Sequence, residues 1–268
     1  MVVVSVGEGM DRYIREDFAS EVFGINTITV RRWPSVQINT SAEQRRAWGR
    51  RPRLTMEDAA VIRDRMTTPV RVAVESGSGG EVQGPTGRTV NNVSITGASA
   101  TFFEIRDLVV ERGRPFTEQE DNQGAAVVVL GTRTAEVLFE DLDPLGKRVK
   151  IRGFPYRVIG VLEEQGSLFG QSLDNRAIAP AQSPVKSFTA PRGYVDEIVV
   201  QVDSPELVPI AKDEIEGIMR TRRRLRPADE SNFQLDTADE SLGFWDRISR
   251  ILFLALPGLV AISLVVGG

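Results

Sequence analysis

The sequence has 268 residues, of which 41% are hydrophobic and 26% are charged, and its formal net charge is −4. This composition excludes an intrinsically disordered chain, permits one or two domains, and gives no reason to expect nucleic acid as a partner. The chain contains no cysteine and no histidine, which excludes disulfide frameworks, thiolate metal sites, thiol nucleophiles, Ser-His-Asp triads and HExxH zinc helices. We predict no catalytic residue, no cofactor and no metal site.

The first 24 residues are predicted to combine an apolar stretch with an amphipathic helix. Residues 1–6 are apolar but lack the basic leader, long apolar core and cleavage site of a signal peptide, so we interpret them as the end of an earlier membrane span. In residues 7–24, Met10, Ile14, Phe18 and Val22 recur at helical spacing, and Gly24 follows as a stop.

Residues 25–100 are predicted to form strands around one helix. The helix covers residues 54–66: Thr55 is the expected N-cap, with Asp58 three residues later, and Ala59, Ile62 and Met66 share one face. The strands are expected at residues 25–30, 70–74, 81–84 and 88–96. Residues 33–53 are interpreted as a loop. The Gly-Ser-Gly-Gly run at 77–80 is predicted to be a hairpin turn, because the Gly-Lys-Ser/Thr of a phosphate-binding loop does not follow it.

Residues 101–189 are predicted to be rich in strands. Residues 190–236 are predicted to have a second strand–helix–strand order. Strands are expected at residues 125–130, 147–151, 156–162, 174–180, 195–202 and 232–236. A short helix at 132–142 is expected to be capped by Thr132 or Thr134. A longer helix runs from Pro205 to about Leu225, and its predicted inward-facing residues are Leu207, Ile210, Ala211, Ile215 and Ile218.

Arginines are concentrated in two separate segments. The first contains Arg45, Arg46, Arg50, Arg51 and Arg53, and the second contains Arg220, Arg222, Arg223, Arg224 and Arg226. The first is either a contact for anionic lipid or a partner, or a solvated loop; the acidic residues close to it in sequence favour the solvated loop. The second suits the C-terminal end of a helix dipole.

Two groups of carboxylates are the candidates for chemistry. Glu118, Glu120 and Asp121 cluster in one loop, and Glu163 and Glu164 precede another. Such groups are usually solvated turns, but they leave open a membrane-anchored hydrolase that depends on carboxylates.

The last 18 residues, 251–268, carry no charged side chain, and eleven of them are Leu, Ile, Val or Phe. As a helix this stretch would extend about 27 Å, close to the thickness of a bilayer's hydrocarbon core. We predict a membrane span here, entered by a helix at 237–250 whose Trp245, Arg247 and Arg250 would lie at the interface. A buried core helix or strand is the alternative.

The predicted fold class is α+β. Two βαβ-type units would form one subdomain, with a β-rich subdomain inserted between them and stalk helices leading into transmembrane helices. In chain order, the expected divisions are 1–24, the end of a first span and a stalk helix; 25–100, the first part of the α/β subdomain; 101–189, the inserted β-rich subdomain; 190–236, the second part of the α/β subdomain; and 237–268, a stalk helix and the start of a second span.

Several stretches, in order along nearly the whole chain, are similar to a known family. They include Phe23-Gly-Ile-Asn-Thr-Ile-Thr-Val, Gly113-Arg-Pro-Phe-Thr-Glu-Gln-Glu-Asp121 and Pro144-Leu-Gly-Lys147, with further matches at 6–10, 97–103, 127–131, 138–139, 156–162 and 263–268. In these residues the chain resembles the MacB-like periplasmic core domain of ABC-transporter permeases, joined to the start of an FtsX-like permease segment.

The resemblance implies an extracytoplasmic domain of a permease subunit in the cytoplasmic membrane, one that couples ATP-driven motion of membrane helices to export of a drug, peptide or lipoprotein. It implies as partners an ABC ATPase subunit or domain, a second permease copy, membrane lipid and a periplasmic adaptor. The alternative within the family is a scaffold that regulates extracytoplasmic enzymes without transport. We expect segments 7–24 and 237–250 to form a two-helix stalk, and the turns at 77–88 and 163–175 to contact cargo or adaptor.

Overall fold

The computed structural model describes residues 26–34, 40–140, 142–168 and 171–237. The predicted spans at 1–6 and 251–268, the stalk helix at 7–24 and residues 238–250 lie outside these residues. Within them, no helix combines the length and apolarity that crossing a membrane requires.

The described residues form a mixed α+β structure, as predicted. The strands are β1 Thr27–Arg31, β2 Leu54–Thr55, β3 Val70–Gln83, β4 Thr89–Ala98, β5 Val110–Gly113, β6 Val127–Leu130, β7 Arg148–Ile151, β8 Phe154–Leu162, β9 Ser167–Leu168, β10 Gln171–Ser172, β11 Arg176–Pro180, β12 Tyr194–Val195, β13 Glu197–Val202 and β14 Gln234–Thr237. The α-helices are α1 Ala42–Gly49, α2 Met56–Arg65, α3 Phe102–Ile105, α4 Glu118–Asn122, α5 Thr132–Phe139, α6 Lys186–Thr189 and α7 Val208–Arg222. Short 3₁₀ turns cover Pro191–Gly193 and Pro205–Leu207.

One ten-stranded sheet organises the fold, with the strand order β14-β1-β13-β3-β4-β11-β6-β8-β5 and β7 bridging β3 and β8. Most pairs are antiparallel, and β4–β11 and β6–β8 are parallel. In the first four strands, β1 and β3 enclose β13, whereas β13 and β14 enclose β1. The units β1–α2–β3 and β13–α7–β14 are therefore two split βαβ units whose strands alternate in one antiparallel sheet.

Helices α2 and α7 cover one face of these four strands. Ile28 and Val30 of β1 point to that face and pack with Ile62 of α2 and Ile215 of α7, and all four side chains are fully buried. At about 25 cal/mol per Å² of apolar area, each such side chain stabilises the fold by about 1.5–3 kcal/mol. The opposite face of the same strands is left for polar residues and for a different core.

The long strands β3 and β4 continue this sheet into a second region. There α5 packs with Leu138 against a core that includes Ile95, Leu130 and Ile151. On the opposite face of the sheet a third core surrounds Phe102, Phe103 and Phe116, and it contains residues from both regions, Ala73 and Val199 among them. The rings of Phe103 and Phe116 meet edge to face at 5.0 Å.

Two predicted loops are wrong. The segment 33–53 contains helix α1, which a capping box between Ser41 and Gln44 starts. The glycine run at 77–80 lies inside β3, and the turn follows at residues 84–88. At position 80 a Cβ would lie 2.6 Å from Cδ1 of Ile95, so a larger residue would require the Ile95 side chain to shift.

Two details of the predicted helices are also wrong. Helix α5 is preceded by Gly131 as N-cap, and the hydroxyl of Thr132 donates instead to the carbonyl of Leu162 at 2.8 Å. In α7, Ile210 is 52% exposed and Met219 is buried in its place. The 3₁₀ turn at Pro205–Leu207 has three residues per turn and shifts the register of the helix that follows. The buried residues of α7 are therefore Ala211, Ile215 and Met219.

Candidate functional site

The first and the last described positions of the chain, residues 26 and 237, border neighbouring strands of the sheet. Strands β1 and β14 are antiparallel, and Ile28 lies opposite Thr237. Strand β1 is hydrogen-bonded on its other side to β13, where Thr27 lies opposite Gln201. A force applied near residue 26 therefore acts on an internal strand, whose ladders on both sides transmit it to the rest of the sheet.

A row of charged side chains crosses the face of these four strands that is opposite to α2 and α7. Arg31 donates from Nη2 to Oε2 of Glu197 at 2.9 Å, and its Nη1 lies 3.9 Å from Oδ2 of Asp236. Glu197 is opposite Glu75 in the β13–β3 register. The row thus places an arginine and three carboxylates on four consecutive strands.

Arg106, from the turn after α3, completes this charge cluster. Its Nη2 donates to Oε1 of Glu75 at 2.6 Å and lies 3.9 Å from Oε2 of Glu197, and only 6% of its side chain is exposed. The Arg106 guanidinium also lies over the ring of Phe102, 5.8 Å from its centroid. A cation is required here because two glutamates on facing strand positions would otherwise repel each other in a partly dry environment.

The electrostatics of the cluster are unbalanced at Glu197. Burial, followed by the negative charge of Glu75, raises the pKa of Glu197 to about 7, although Arg31 and Arg106 oppose this shift. Glu197 therefore exchanges a proton near neutral pH. We call Arg31, Glu75, Arg106, Glu197 and Asp236 the charge cluster; chemically it can tie four strands together and bind or release a proton.

A hollow of about 370 Å³ opens beside the charge cluster, between the end of β1 and strand β12. Arg31 and Glu197 form part of its wall. Arg53 lies 5.2 Å from the ring centroid of Tyr194, another wall residue. The hollow connects Glu197 to solvent and offers cationic and aromatic surface rather than a closed apolar pocket.

The two carboxylate groups singled out in the sequence do not come together. Glu120 forms a capping box with Thr117 and accepts two hydrogen bonds from Arg114, at 2.7 and 2.8 Å. The bonds from Arg114 lower the pKa of Glu120 to about 2, although burial acts in the opposite direction. Asp121 is buried, and burial raises its pKa. Glu164 lines a different hollow, beside Arg133 and Asp174. Glu120 thus has a structural partner, and the two groups do not share a site.

The predicted contact turns have different structures. Within 163–175, the carboxylate of Asp174 accepts from the backbone N–H groups of Gln165 and Gly166, both at 2.8 Å, which orders the start of the loop. Of residues 77–88, only 84–88 form the turn. In the described part of the chain, no group of three acidic residues is arranged to hold a metal ion.

The charge cluster was not predicted from the sequence. Arg31, Glu75 and Glu197 each border an apolar strand segment, where a charged side chain is usually solvated. The only sequence signal for the cluster is that all three charges lie at such strand boundaries. Arg106 carries no local signal, since its role depends on a contact with residues 31 and 91 positions away in the chain.

Comparison with known proteins agrees with this architecture. The profile of the MacB-like periplasmic core domain family matches residues 1–218. The chain is 28% identical over 225 residues to a macrolide export ATP-binding/permease protein MacB of Bdellovibrio bacteriovorus, covering 82% of this chain and 34% of the relative. It is 27% identical over 270 residues to the MacB protein of Neisseria meningitidis serogroup A, covering 99% of this chain and 38% of the relative.

Solved structures share the fold at low sequence identity. The periplasmic region of MacB from Actinobacillus actinomycetemcomitans has a TM-score of 0.66 at 20% identity, covering 87% of this chain and 97% of that one. The extracellular domain of the ABC-type transporter YknZ from Gram-positive bacteria has a TM-score of 0.61 at 21% identity, covering 79% of this chain and all of that one. The chain spans little more than a third of the length of the curated relatives it matches. On the profile match and the shared fold, the chain belongs to the MacB-like periplasmic core domain family.

Proposed function

We propose that this chain is the extracytoplasmic core domain of an ABC-transporter permease subunit in the cytoplasmic membrane, with the folded body on the periplasmic or extracellular side. Its role is mechanical: it couples ATP-driven motion of membrane helices to the export of a substrate. Relatives support the export class, since they are named for macrolide export and, in Pseudomonas syringae, for pyoverdine export. These names span two substrate classes, so the proposal leaves the cargo open among drugs, peptides and lipoproteins.

The partners follow from the same proposal. The relatives are named as ATP-binding/permease proteins, which supports an ABC ATPase as a domain of the same polypeptide or as a separate chain. A second permease copy, membrane lipid and a periplasmic adaptor complete the assembly. The division into an α/β subdomain (25–100 and 190–236) and an inserted β-rich subdomain (101–189) remains part of the proposal, as does a two-helix stalk at 7–24 and 237–250.

The observation that carries the mechanical role is the pairing of Ile28 with Thr237. Because the two chain segments that continue beyond the described sheet attach to neighbouring strands, a movement of those segments tilts β1 and β14 together. The charge cluster ties β14, β1, β13 and β3 on one face, and α2 and α7 cover the other. The four strands therefore move as one plate, and β3 and β4 carry that motion into the second region.

A stalk cross-link tests this mechanism. These 268 residues contain no cysteine. In a full-length permease whose other cysteines have been replaced, one cysteine introduced in 7–24 and one in 238–250 can therefore form a defined disulfide. We expect the oxidised protein to lose coupling between ATP hydrolysis and transport in proteoliposomes, and reduction to restore it. The matched control joins Val30 to Leu235, which already face each other in the β1–β14 register, and should transport normally.

The outcome separates the candidate functions. Unchanged transport with the stalk locked would refute mechanical coupling through these segments. ATP hydrolysis that responds to the lock in a protein with no transport of any tested cargo would favour the scaffold that regulates extracytoplasmic enzymes.

A further inference from the structure

The structure brings the two arginine segments of the sequence to one end of the molecule. Arg223, just after α7, donates to the carbonyls of Pro52 and Arg53 at 3.2 and 3.1 Å. Arg32, at the end of β1, donates to the carbonyl of Arg51 at 2.7 Å. We call the surface formed by α1, residues 50–53, the end of β1 and the C-terminal end of α7 the arginine pole. Its arginines are Arg32, Arg45, Arg46, Arg50, Arg51, Arg53, Arg220, Arg222, Arg223, Arg224 and Arg226.

Part of this charge has a structural use within the fold. Arg222 and Arg223 both bind the buried carboxylate of Asp58 in the capping box of α2, and Arg222 also binds Glu57. These contacts lock α2 to α7. Other arginines of the pole are exposed: Arg45, Arg46, Arg50, Arg53, Arg224 and Arg226. Asp58 and Glu57 are thus engaged with the inner arginines Arg222 and Arg223. An outer set of six cations faces solvent and outnumbers the exposed carboxylates of Glu43 on α1 and Glu230.

Helix α1 is an unusual element of this surface, because it has no buried residue. It is held by its capping box and by bonds to backbone carbonyls, such as the one from Nε1 of Trp33 to the carbonyl of Trp48 at 3.1 Å. A helix of eight residues is marginal in water without packing of one face. Trp33 is nevertheless 47% exposed beside it. Tryptophan and arginine, with tyrosine, are enriched among the residues that contribute most of the binding energy at protein–protein interfaces.

The position of the pole argues against lipid as its occupant. Strand β1 runs from Asn26 toward Arg31, and β14 returns from Gln234 to Thr237. The arginine pole follows β1 and precedes β14, so it lies at the opposite end of this strand pair from residues 26 and 237, at least one strand length away, roughly 13–16 Å. This step rests on the proposed function, in which residues 26 and 237 face the membrane.

We propose that α1 and the arginine pole form the docking surface for an acidic protein partner on the extracytoplasmic side. The exposed arginines contact the partner's carboxylates, and the tryptophans at α1 supply the apolar centre of the interface. Binding buries the face of α1 that the described residues of this chain leave open.

Photo-cross-linking in cells tests the docking surface on the full-length permease. A photoreactive p-benzoylphenylalanine replaces the exposed Ala47 of α1 and, as the control position, the exposed Val109 of the second region. We expect the α1 probe to give a protein adduct whose mapped contact segment is net acidic. The adduct should decrease about tenfold in R45E/R46E/R50E, the sum expected of three exposed ion pairs.

Matched variants and a charge swap separate recognition from nonspecific charge. The variant R133E/R148E/R157E reverses the same number of exposed arginines in the second region, and it should leave the adduct unchanged. Changing the mapped acidic residues of the partner to lysine should restore the adduct with R45E/R46E/R50E. A lipid adduct, absence of a protein adduct, a contact segment without net negative charge, or equal losses in both triple variants would overturn the proposal.

A topology measurement keeps this result separate from the proposed function. In Ala47→Cys, made in a full-length permease without other cysteines, a membrane-impermeant maleimide added outside intact cells (after opening of any outer membrane) should label the pole. Labelling only from the cytoplasmic side would refute the placement of the domain itself. Labelling from outside, together with no cross-link to an acidic partner, would overturn only the proposed docking surface.

Discussion

Replacing Arg106 with methionine removes the cation that separates Glu75 from Glu197 and keeps most of the side chain's volume. The variant loses a charge-assisted hydrogen bond of 2.6 Å and leaves two carboxylates on facing strand positions. Since only 6% of the Arg106 side chain is exposed, water compensates little, and breaking a buried ion pair of this kind costs about 3–5 kcal/mol. We expect R106M to lower the free energy of unfolding by that amount at pH 8.

The pH dependence gives the sharper expectation. Glu197 has a pKa of about 7 in the folded protein, above its unfolded value, so the folded state binds more protons and is destabilised as pH rises toward 7. Without Arg106 the pKa of Glu197 rises further, and this loss of stability continues to higher pH. The deficit of R106M should therefore shrink below pH 6, by about 1.4 kcal/mol for each unit by which the pKa has risen.

Urea unfolding followed by circular dichroism at pH 5.5, 7 and 8.5 measures both effects. The double variant E75Q/R106M removes one of the two facing charges and should recover about 1–3 kcal/mol of the loss at pH 8.5. A deficit of R106M that is equal at all three pH values, or a double variant no more stable than R106M, would show that the charge cluster does not work as described.

Two further expectations concern single side chains and are checked in the same unfolding assay. Glu120→Gln should lower the free energy of unfolding by about 1–2 kcal/mol at pH 7, after allowance for the half-exposed Arg114. Because the pKa of Glu120 is lowered to about 2, this difference between the variant and the parent protein should vanish as pH falls from about 4.5 through 2. A difference that persists at pH 2 would contradict the expectation. Gly113→Ala should cost more than about 2 kcal/mol, because its φ is +85° and a Cβ would lie 2.2 Å from the carbonyl oxygen of Ile159. Gly153 has the same φ and no atom within 4 Å of a Cβ, so Gly153→Ala should cost only about 1–2 kcal/mol, and equal costs would refute the steric argument.

Local patterns in the chain predicted the elements that carry strong signals. The helix around residues 54–66 was recognisable from Thr55, Asp58 and its apolar spacing, and the structure has the capping box there. The strands predicted at 147–151 and 156–162 are present as β7 and β8, which pair antiparallel as a hairpin. These signals are local, since caps, turns and side-chain periodicity act within a few residues.

Patterns failed where a long-range contact replaced the local preference. The glycine run at 77–80 has the composition of a turn, but it continues β3 because β4 pairs along it from Gly77 to Gly80. Helix α1 has a polar sequence without an apolar stripe, and bonds from Arg32 to the carbonyl of Gly49 and from Trp33 to the carbonyl of Trp48 help to hold it. Periodicity predicts only elements that bury a face, so α1 left no such signal.

The sequence by itself determined the α+β class, the strand–helix–strand order and the family, because periodicity, capping residues and ordered motifs are properties of neighbouring positions. Only the tertiary structure decided that Arg106 separates two glutamates and that the strands adjoining residues 26 and 237 are paired. It also decided that the two arginine segments meet at one pole. Charges 170 positions apart in the chain carry no record of their distance in space. Sheet register and helix packing set that distance, and with it both the pKa of Glu197 and the surface that a partner meets.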